Sequence, residues 1–320
     1  MGRTIGWPIV DLQELVTGVL AGDRRAVARA ISAVEDGTPG LEALSAGVYA
    51  STGRAETIGL TGAPGVGKST LAAGLVRCSR DRDLRVAVLA VDPTSPYTGG
   101  ALLGDRVRMQ EHATDPGVFI RSMAARGHLG GMALAAPEAV RILDAAGYER
   151  VVVETVGVGQ AEVDVAAATD TAVVVLAPGL GDAVQMAKAG ILEVADLFVV
   201  NKADRDGAHE VVRELTQMLH LGPARDWDPP VLRATATEHE GVEDLWEAIE
   251  AHRAHVAASG ALGEKRRRRL MQEVEALAAE RFRLIATEAL EADPALANDL
   301  VERRLDPYGA AAMLVRRAAG

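Results

Sequence analysis

Short apolar runs separated by amphipathic stretches make up the middle of the chain. Seven of these runs are too short for helices and are bounded by turn residues, which predicts buried strands. Helical stretches lie between most of them, so the pattern predicts an α/β fold with a mostly parallel central sheet flanked by helices. The runs are Ile58–Leu60, Val86–Val91, Val118–Ile120, Val151–Val153, Thr171–Leu176, Leu197–Val200 and Val231–Leu232.

Helical patterns occupy both ends of the chain. Apolar residues at helical spacing predict one helix over about residues 9–34 and a second over Leu41–Tyr49. After the last strand, the spacing predicts a long helix over Glu264–Leu290. A final helical piece is predicted over Val301–Arg317, interrupted at Pro307.

These patterns divide the chain into three parts: an N-terminal helical extension (residues 1–50), a central domain (51–258) and a C-terminal helical extension (259–320). The long C-terminal helix carries an apolar stripe that includes Leu270, Val274 and Leu277, and we expect this stripe to be buried against something. The helix opens with the basic run Lys265–Arg269, which is either a solvated face or a surface for contact with a partner.

Composition narrows the classes of function. The chain has 320 residues, and 34 Lys and Arg against 45 Asp and Glu give a net charge of −11. This acidity argues against nonspecific binding to nucleic acid or to anionic membranes. The single cysteine, Cys78, allows no intrachain disulfide and no cysteine-based metal cluster. With no secretory signal and no apolar run long enough to span a bilayer, we expect a cytoplasmic protein.

A phosphate-binding loop follows the first strand. The segment matches G-x-x-x-x-G-K-[ST] and precedes a helical stretch, which is the context that supports a P-loop NTPase fold. Its glycines let backbone N–H groups face phosphates, Lys68 can neutralise phosphate oxygens, and Ser69 can bind Mg²⁺. The predicted binding residues are Gly62, Ala63, Pro64, Gly65, Val66, Gly67, Lys68, Ser69 and Thr70.

A second motif, Asn201-Lys202-Ala203-Asp204, follows the sixth strand. The carboxylate of Asp204 can accept hydrogen bonds from two N–H donors of guanine, whereas adenine lacks this pair, so the motif predicts specificity for GTP. Alone, the tetrapeptide could be a polar turn. Thr235 and Ala236 follow the next strand and would complete the base pocket, with the Ala236 N–H on the guanine carbonyl; a plain loop is the alternative.

Acidic residues at the ends of other strands suggest metal binding and catalysis. Glu154 ends the fourth strand and fits a Walker-B position, reaching Mg²⁺ directly or through water. Gly157 would let its N–H approach the γ-phosphate. Asp92 ends the second strand, and Asp105 follows in the same Pro-, Gly- and Thr-rich stretch, which has the character of a switch loop; Asp105 could instead be a helix cap.

The group that orients the attacking water is less clear. In small Ras-like GTPases a glutamine follows the glycine of the switch motif. Here that position holds Val158, which cannot orient water, and Gln160 lies two residues further on as a substitute. We therefore predict slow intrinsic hydrolysis that a partner accelerates.

Four segments together resemble the MeaB/ArgK family of P-loop GTPases, whose human counterpart is the methylmalonic aciduria type A protein. They are the P-loop, the stretch from Asp92 to Met109, the stretch Glu154–Gln160 and the motif Asn201–Asp204; the resemblance is clear over residues 10–260. It implies a homodimeric GTP-dependent chaperone that gates delivery of adenosylcobalamin to an acyl-CoA mutase such as methylmalonyl-CoA mutase and protects that enzyme. The mutase is expected to stimulate GTP hydrolysis.

The resemblance also assigns a loop that couples nucleotide state to the partner, corresponding here to Pro178–Lys188. Asp182 and Lys188 match its charged positions. Taken without the resemblance, Asp182 is a helix N-cap and Lys188 a solvated side chain.

Two rival functions remain open at this stage. A metal-insertion GTPase of the nickel and cobalt chaperone type commonly carries metal-binding tracts, but the seven histidines are scattered, and His252 and His255 form only a weak pair. A signalling switch without a cofactor-loading role would have the same nucleotide chemistry, so only its partner would differ. A kinase function has no support, because no H-R-D catalytic loop is present.

Overall fold

The computed structural model describes residues 12–93, 114–125, 131–155, 167–179, 191–222 and 225–319. Over these residues seven strands form one sheet in the order β3-β2-β4-β1-β5-β6-β7, and every neighbouring pair is parallel. The strands are β1 Glu56–Thr61, β2 Val86–Pro93, β3 Val118–Ala125, β4 Arg150–Thr155, β5 Thr171–Leu176, β6 Leu197–Asn201 and β7 Val231–Ala234. Each predicted run lies within one of them, and the α/β prediction is confirmed.

Helices cover both faces of this sheet. The described helices of the whole chain are α1 Leu12–Leu20, α2 Arg24–Glu35, α3 Leu41–Tyr49, α4 Lys68–Arg80, α5 Gly131–Ala145, α6 Ile191–Val194, α7 Ala208–Leu221, α8 Val242–Ala258, α9 Ala261–Ala292, α10 Pro294–Val301 and α11 Pro307–Ala319, with a 3₁₀ turn at Ala236–Glu238; those that pack on the sheet lie between α1 and α8. Side chains of α4 and α8 pack on one face. On the other, α1, α2, α3 and α5 cover the β2–β4 side, and α7 covers β5 and β6.

The chain forms two compact units, residues 1–266 and 267–320. The second unit has its own small core, in which Leu296, Ala310 and Leu314 pack with Phe282 and Ala286. None of the described helices is both long enough and apolar enough to cross a membrane.

The predictions for the chain ends were partly wrong. The stretch predicted as one helix over residues 9–34 contains two, because the chain turns after α1 and the Asp23 carboxylate caps α2 by accepting the Ala26 N–H at 2.7 Å. Pro307 begins α11 instead of interrupting a helix. A proline fits there because the first helical N–H needs no intrahelical partner.

The start of α9 also differs from expectation. Lys265 Nζ lies 2.9 Å from Asp196 Oδ2, and Arg266 donates to Asp170 Oδ2 at 2.7 Å and to the Ala55 carbonyl at 2.9 Å. A solvated face is therefore the wrong interpretation for these two residues. Their ion pairs attach the second turn of α9 to the residues that precede β5 and β6.

The apolar stripe of α9 is not buried within the described chain, so the expectation that it packs against something stays a prediction. Leu270, Val274 and Leu277 are 37%, 58% and 48% exposed, and no residue of α9 is fully buried. A contiguous exposed apolar patch is typical of an interaction surface.

Glu56, the first residue of β1, is a buried carboxyl group. Neither of its oxygens accepts a hydrogen bond from a described residue, although Arg150 Nη1 lies 3.1 Å from Oε2 and Arg253 Nε 3.5 Å from it. Burial raises the pKa of Glu56 from its ordinary value to about 7, against the lowering effect of Arg150, and the charge of Glu250 adds to the rise. The folded protein therefore retains a proton on Glu56 at a pH where the unfolded chain has released it.

We expect this carboxyl group to reduce the free energy of unfolding as the pH rises from about 4.5 to about 7. Below the pKa of Glu56 in the unfolded chain, stability carries no penalty because this carboxyl group is protonated in both the folded and the unfolded state. Above the folded pKa the penalty reaches about 3 kcal/mol. Glu56→Gln cannot ionise, so its stability relative to the unsubstituted protein should rise by about this amount over the same interval. Urea unfolding of both proteins across this range measures the difference; parallel pH profiles would contradict it.

Candidate functional site

The predicted nucleotide residues meet at the carboxyl edge of the sheet because β1, β4, β6 and β7 all run in the same direction. In the strand register, Leu60 pairs with Glu154 and Asn201 pairs with Ala234. The loop after β1 therefore lies beside the end of β4, and the motif after β6 lies beside the loop after β7. In open parallel sheets, this edge is where ligands bind.

The loop between β1 and α4 has a backbone that requires glycine at two positions. Gly62 has φ +138°, and a Cβ there would lie 2.1 Å from the Val175 carbonyl oxygen. Gly67, which precedes α4, has φ +100°, and its Cβ would lie 2.2 Å from Asn201 Nδ2. A side chain at either position would displace neighbouring atoms. Glycine at both positions therefore allows the loop to lie close to the carboxyl edge of the sheet.

Lys68 is the first residue of α4 and is buried. Its ammonium group donates to the carbonyl of Gly62 at 2.5 Å and to that of Ala63 at 3.1 Å. The positive charge is therefore placed at the helix N-terminus, where the helix dipole also favours anions. This arrangement suits a phosphate group.

Ser69 and Glu154 form a buried pair beside this loop. The Ser69 hydroxyl donates to Glu154 Oε1 at 2.6 Å, and both side chains are almost fully inaccessible. A hydroxyl and a carboxylate oxygen this close offer two ligands of the type that Mg²⁺ prefers. The pair therefore fits a magnesium ion at the predicted position.

Other predicted catalytic and metal residues are described only in part. Asp92 lies at the end of β2, where Val91 pairs with Thr155, so its backbone is near the end of β4. The predictions for Asp105, Gly157, Gln160, Asp182 and Lys188 fall outside the residues that the structure describes.

The motif after β6 holds the phosphate loop directly. Asn201 Nδ2 donates to the Val66 carbonyl at 2.8 Å, and Lys202 Nζ donates to the Gly65 carbonyl at 2.5 Å. Asn201 Oδ1 also accepts the Ala236 N–H at 3.1 Å. The Ala236 N–H is the group predicted to reach the guanine carbonyl, and that role stays a prediction. The motif thus links the phosphate loop to the loop after β7.

A pocket of about 300 Å³ lies next to Asp204. Its lining residues are Ala203, Asp204, Arg233, Ala234, Thr235 and Glu240. Asp204 and Thr235 are among the base-site residues predicted from the sequence, whereas Arg233 and Glu240 are not. Their alignment with the motif depends on the pairing of β7 with β6, and no local sequence signal marks it.

His252, one of the two histidines that form only a weak metal-binding pair in the sequence, makes structural contacts. This residue is buried: Nδ1 lies 2.9 Å from Thr171 Oγ1, and Nε2 lies 3.4 Å from Asp196 Oδ1. Burial would raise the pKa of Asp196, but the His252 contact and the charge of Lys265 outweigh it, so the pKa lies below its ordinary value. Within the described ranges, no cluster of three or more metal-ligating side chains occurs.

Comparison with known proteins adds an independent line of evidence. The family model described as methylmalonyl-CoA mutase-associated GTPase MeaB matches residues 27–291. A putative GTPase from Pyrococcus horikoshii is 47% identical over 97% of this chain and 99% of its own length. The mitochondrial methylmalonic aciduria type A homolog of Mus musculus is 39% identical over 65% of this chain and 52% of its own length. A crystal structure described as a LAO/AO transport system kinase is 27% identical and covers 98% of this chain and 100% of that one, with a TM-score of 0.71.

Proposed function

This chain belongs to the MeaB family of P-loop GTPases, and we propose that its GTP cycle serves an adenosylcobalamin-dependent acyl-CoA mutase, gating cofactor delivery and protecting that enzyme. GTP and GDP are its nucleotides and hydrolysis of GTP is its reaction. The observation that carries the proposal is the family match, which spans most of the chain and names a mutase-associated GTPase. The similarity to a methylmalonic aciduria type A homolog supports the same partner class.

In this proposal the phosphates of GTP bind to the loop Gly62–Thr70. Lys68 transfers its hydrogen bonds from the carbonyls of Gly62 and Ala63 to phosphate oxygens, which is favourable because the new bonds join opposite charges. Asp204 accepts the N–H donors of guanine. The hydrogen bonds from Asn201 and Lys202 to the carbonyls of the phosphate loop fix the distance between that loop and Asp204.

Ser69 and Glu154 would hold Mg²⁺, with Asp92 and Asp105 as further carboxylates of the site. When bound, the ion neutralises charge on the β- and γ-phosphates. Gly157 and Gln160 would approach the γ-phosphate, and because Val158 cannot orient water, hydrolysis by the protein alone is slow. Asp182 and Lys188 would transmit the nucleotide state to the mutase.

We further propose that the protein is a homodimer. The exposed stripe of α9, with Leu270, Val274 and Leu277, supports this because an apolar helix face of that length is stabilised by burial against a second copy. Sedimentation equilibrium should give twice the chain mass, and Val274→Glu should shift the equilibrium toward monomer.

Co-purification and kinetics with a purified adenosylcobalamin-dependent acyl-CoA mutase test the chaperone role. We expect a stable complex and an increase of at least about tenfold in the GTP hydrolysis rate, since partner-supplied groups commonly accelerate GTPases far more than this. The matched control is a cobalamin-independent acyl-CoA enzyme of similar size and charge.

If the mutase neither binds nor accelerates hydrolysis, the chaperone role is wrong and a signalling switch with another partner becomes the better explanation. Fast hydrolysis by the isolated protein would contradict the inference drawn from Val158. Neither result would affect the nucleotide-binding assignments.

A further inference from the structure

Asp196 connects several elements at the amino end of β6. It directly precedes the strand, and its N–H donates to the Ala172 carbonyl at 2.9 Å. Its carboxylate accepts the Ala172 N–H at 2.8 Å and lies 2.9 Å from Lys265 Nζ and 3.4 Å from His252 Nε2. Its carbonyl accepts the indole N–H of Trp227 at 2.8 Å. Asp196 therefore links β6 to β5, α8, α9 and the segment before β7.

Asp170 has the equivalent position at the amino end of β5. Its buried carboxylate accepts two hydrogen bonds from the Arg266 guanidinium, at 3.1 Å and 2.7 Å, and one from the Thr57 N–H at 3.2 Å. Its carbonyl accepts a hydrogen bond from Lys265 at 2.9 Å. Two consecutive cations of α9 therefore contact the residues at which two neighbouring strands begin.

The opposite end of β6 carries the motif assigned to guanine. The strand Leu197–Asn201 is buried along its whole length and is paired with β5 on one side and β7 on the other. At about 3.3 Å per residue, Asp196 lies roughly 17 Å from Asn201 along the strand. Because a short strand paired on both sides moves as a unit, a shift at Asp196 would also move Asn201. The side chain of Asn201 holds the Val66 carbonyl and the Ala236 N–H.

Lys265 is the contact of this group that can be removed most selectively. Among the described residues its ammonium group makes two hydrogen bonds, both at 2.9 Å, to the Asp170 carbonyl and to Asp196 Oδ2. Its side chain is 29% exposed, so its truncation leaves no large cavity. Arg266 makes four hydrogen bonds, and its removal would disturb the fold more broadly.

We propose that Lys265 is a positioning residue for the bound nucleotide, which acts through Asp196 and β6 to restrain the motif that contains Asp204. Release of the nucleotide requires local opening of this motif, and a restraint at the start of the strand raises the free energy of that opening. Since Lys265 belongs to α9, a partner that displaces this helix would accelerate release. The inference rests on the proposed guanine site around Asp204.

The test measures release of N-methylanthraniloyl-GDP into excess GDP in the presence of Mg²⁺, by stopped-flow fluorescence. Lys265→Ala should release the nucleotide about fivefold faster than the unsubstituted protein, at the lower end of typical coupling between separate sites. Lys265→Arg keeps the cation and should restore the unsubstituted rate. Arg268→Ala removes an exposed cation from the same basic run and should also release at that rate. Equal acceleration in Arg268→Ala would overturn the inference, since it would indicate a general charge effect.

A double-substitution cycle tests whether Lys265 acts through Asp196. Asp196→Asn keeps an oxygen acceptor for the Ala172 N–H but loses the ion pair, so it should also accelerate release about fivefold. The double variant should release no faster than the faster single variant, because both substitutions remove the same link. If the two accelerations multiply, to about 25-fold, Lys265 does not act through Asp196 and the inference is wrong.

The release rate is measured only on folded molecules that hold the nucleotide, so a reduced folded fraction does not change it. If Lys265→Ala lowers the midpoint of thermal unfolding and leaves the release rate unchanged, Lys265 is merely structural and the inference is wrong. Asp204→Asn in the same assay separates this failure from failure of the guanine site. When Asp204→Asn accelerates release and Lys265→Ala does not, the positioning role alone is refuted; when neither does, the guanine site is also wrong.

Discussion

Lys68→Ala is expected to weaken GTP binding by at least about 100-fold. The buried ammonium group lies between the carbonyls of Gly62 and Ala63 at the start of α4, where it can form charge-assisted hydrogen bonds to two phosphate groups. Each such bond contributes roughly 1.5–3 kcal/mol, so losing both removes two or more orders of magnitude in affinity. Titration with a non-hydrolysable GTP analogue measures the effect.

Arg77→Ala is the matched control for this substitution. Arg77 lies on the same helix, and its side chain is more than half exposed, so its removal should leave nucleotide affinity unchanged. Far-ultraviolet circular dichroism of Lys68→Ala checks that loss of binding does not reflect loss of folding. If the folded variant retains the affinity of the unsubstituted protein, the phosphate-loop assignment is wrong.

Asp204→Asn is expected to weaken GDP binding by roughly 2–3 kcal/mol, which corresponds to a factor of about 30 to 150. The substitution removes the charge from an acceptor that pairs with two N–H donors of guanine. The NH₂ group of the asparagine would face one of these donors and cannot accept its hydrogen bond. Binding of ADP should change little, because adenine does not present that pair of donors. The preference for GDP over ADP should therefore fall by nearly the same factor.

Asp206→Asn provides the comparison for Asp204. Both residues are exposed, acidic and located after β6, but Asp206 does not line the pocket. Calorimetric titration of both variants with GDP and ADP gives the two preferences. An unchanged preference in Asp204→Asn would refute its role in reading guanine.

The phosphate loop was predictable because its chemistry is local. Gly62, Gly67, Lys68 and Ser69 lie within eight residues, and the required backbone shape is apparent from the glycines alone. The same holds for Asp204 in its tetrapeptide. Glu154 was predicted from its place near the end of a strand, and the structure brings it within hydrogen-bond distance of Ser69; its role toward Mg²⁺ stays a prediction.

Contacts between site residues that lie far apart in the chain could not be predicted from the sequence. The hydrogen bond from Asn201 to Val66 joins residues 135 positions apart, and the one between Ala236 and Asn201 joins residues 35 positions apart. Local periodicity also gave the wrong answer at the chain ends. The Asp23 cap divides the N-terminal helix, and Pro307 is compatible with the first turn of α11.

By itself the sequence determined the fold class, the order of strands and helices along the chain, the family and the use of GTP. These follow from apolar periodicity and from short motifs in which neighbouring residues carry the chemistry. Only the tertiary structure decided that Arg233 shares a pocket with Asp204, that Asn201 and Lys202 hold the phosphate loop, and that His252 is buried. These facts depend on which strands lie side by side and in what register. Long-range packing of the whole sheet sets that arrangement, and local propensity does not encode it.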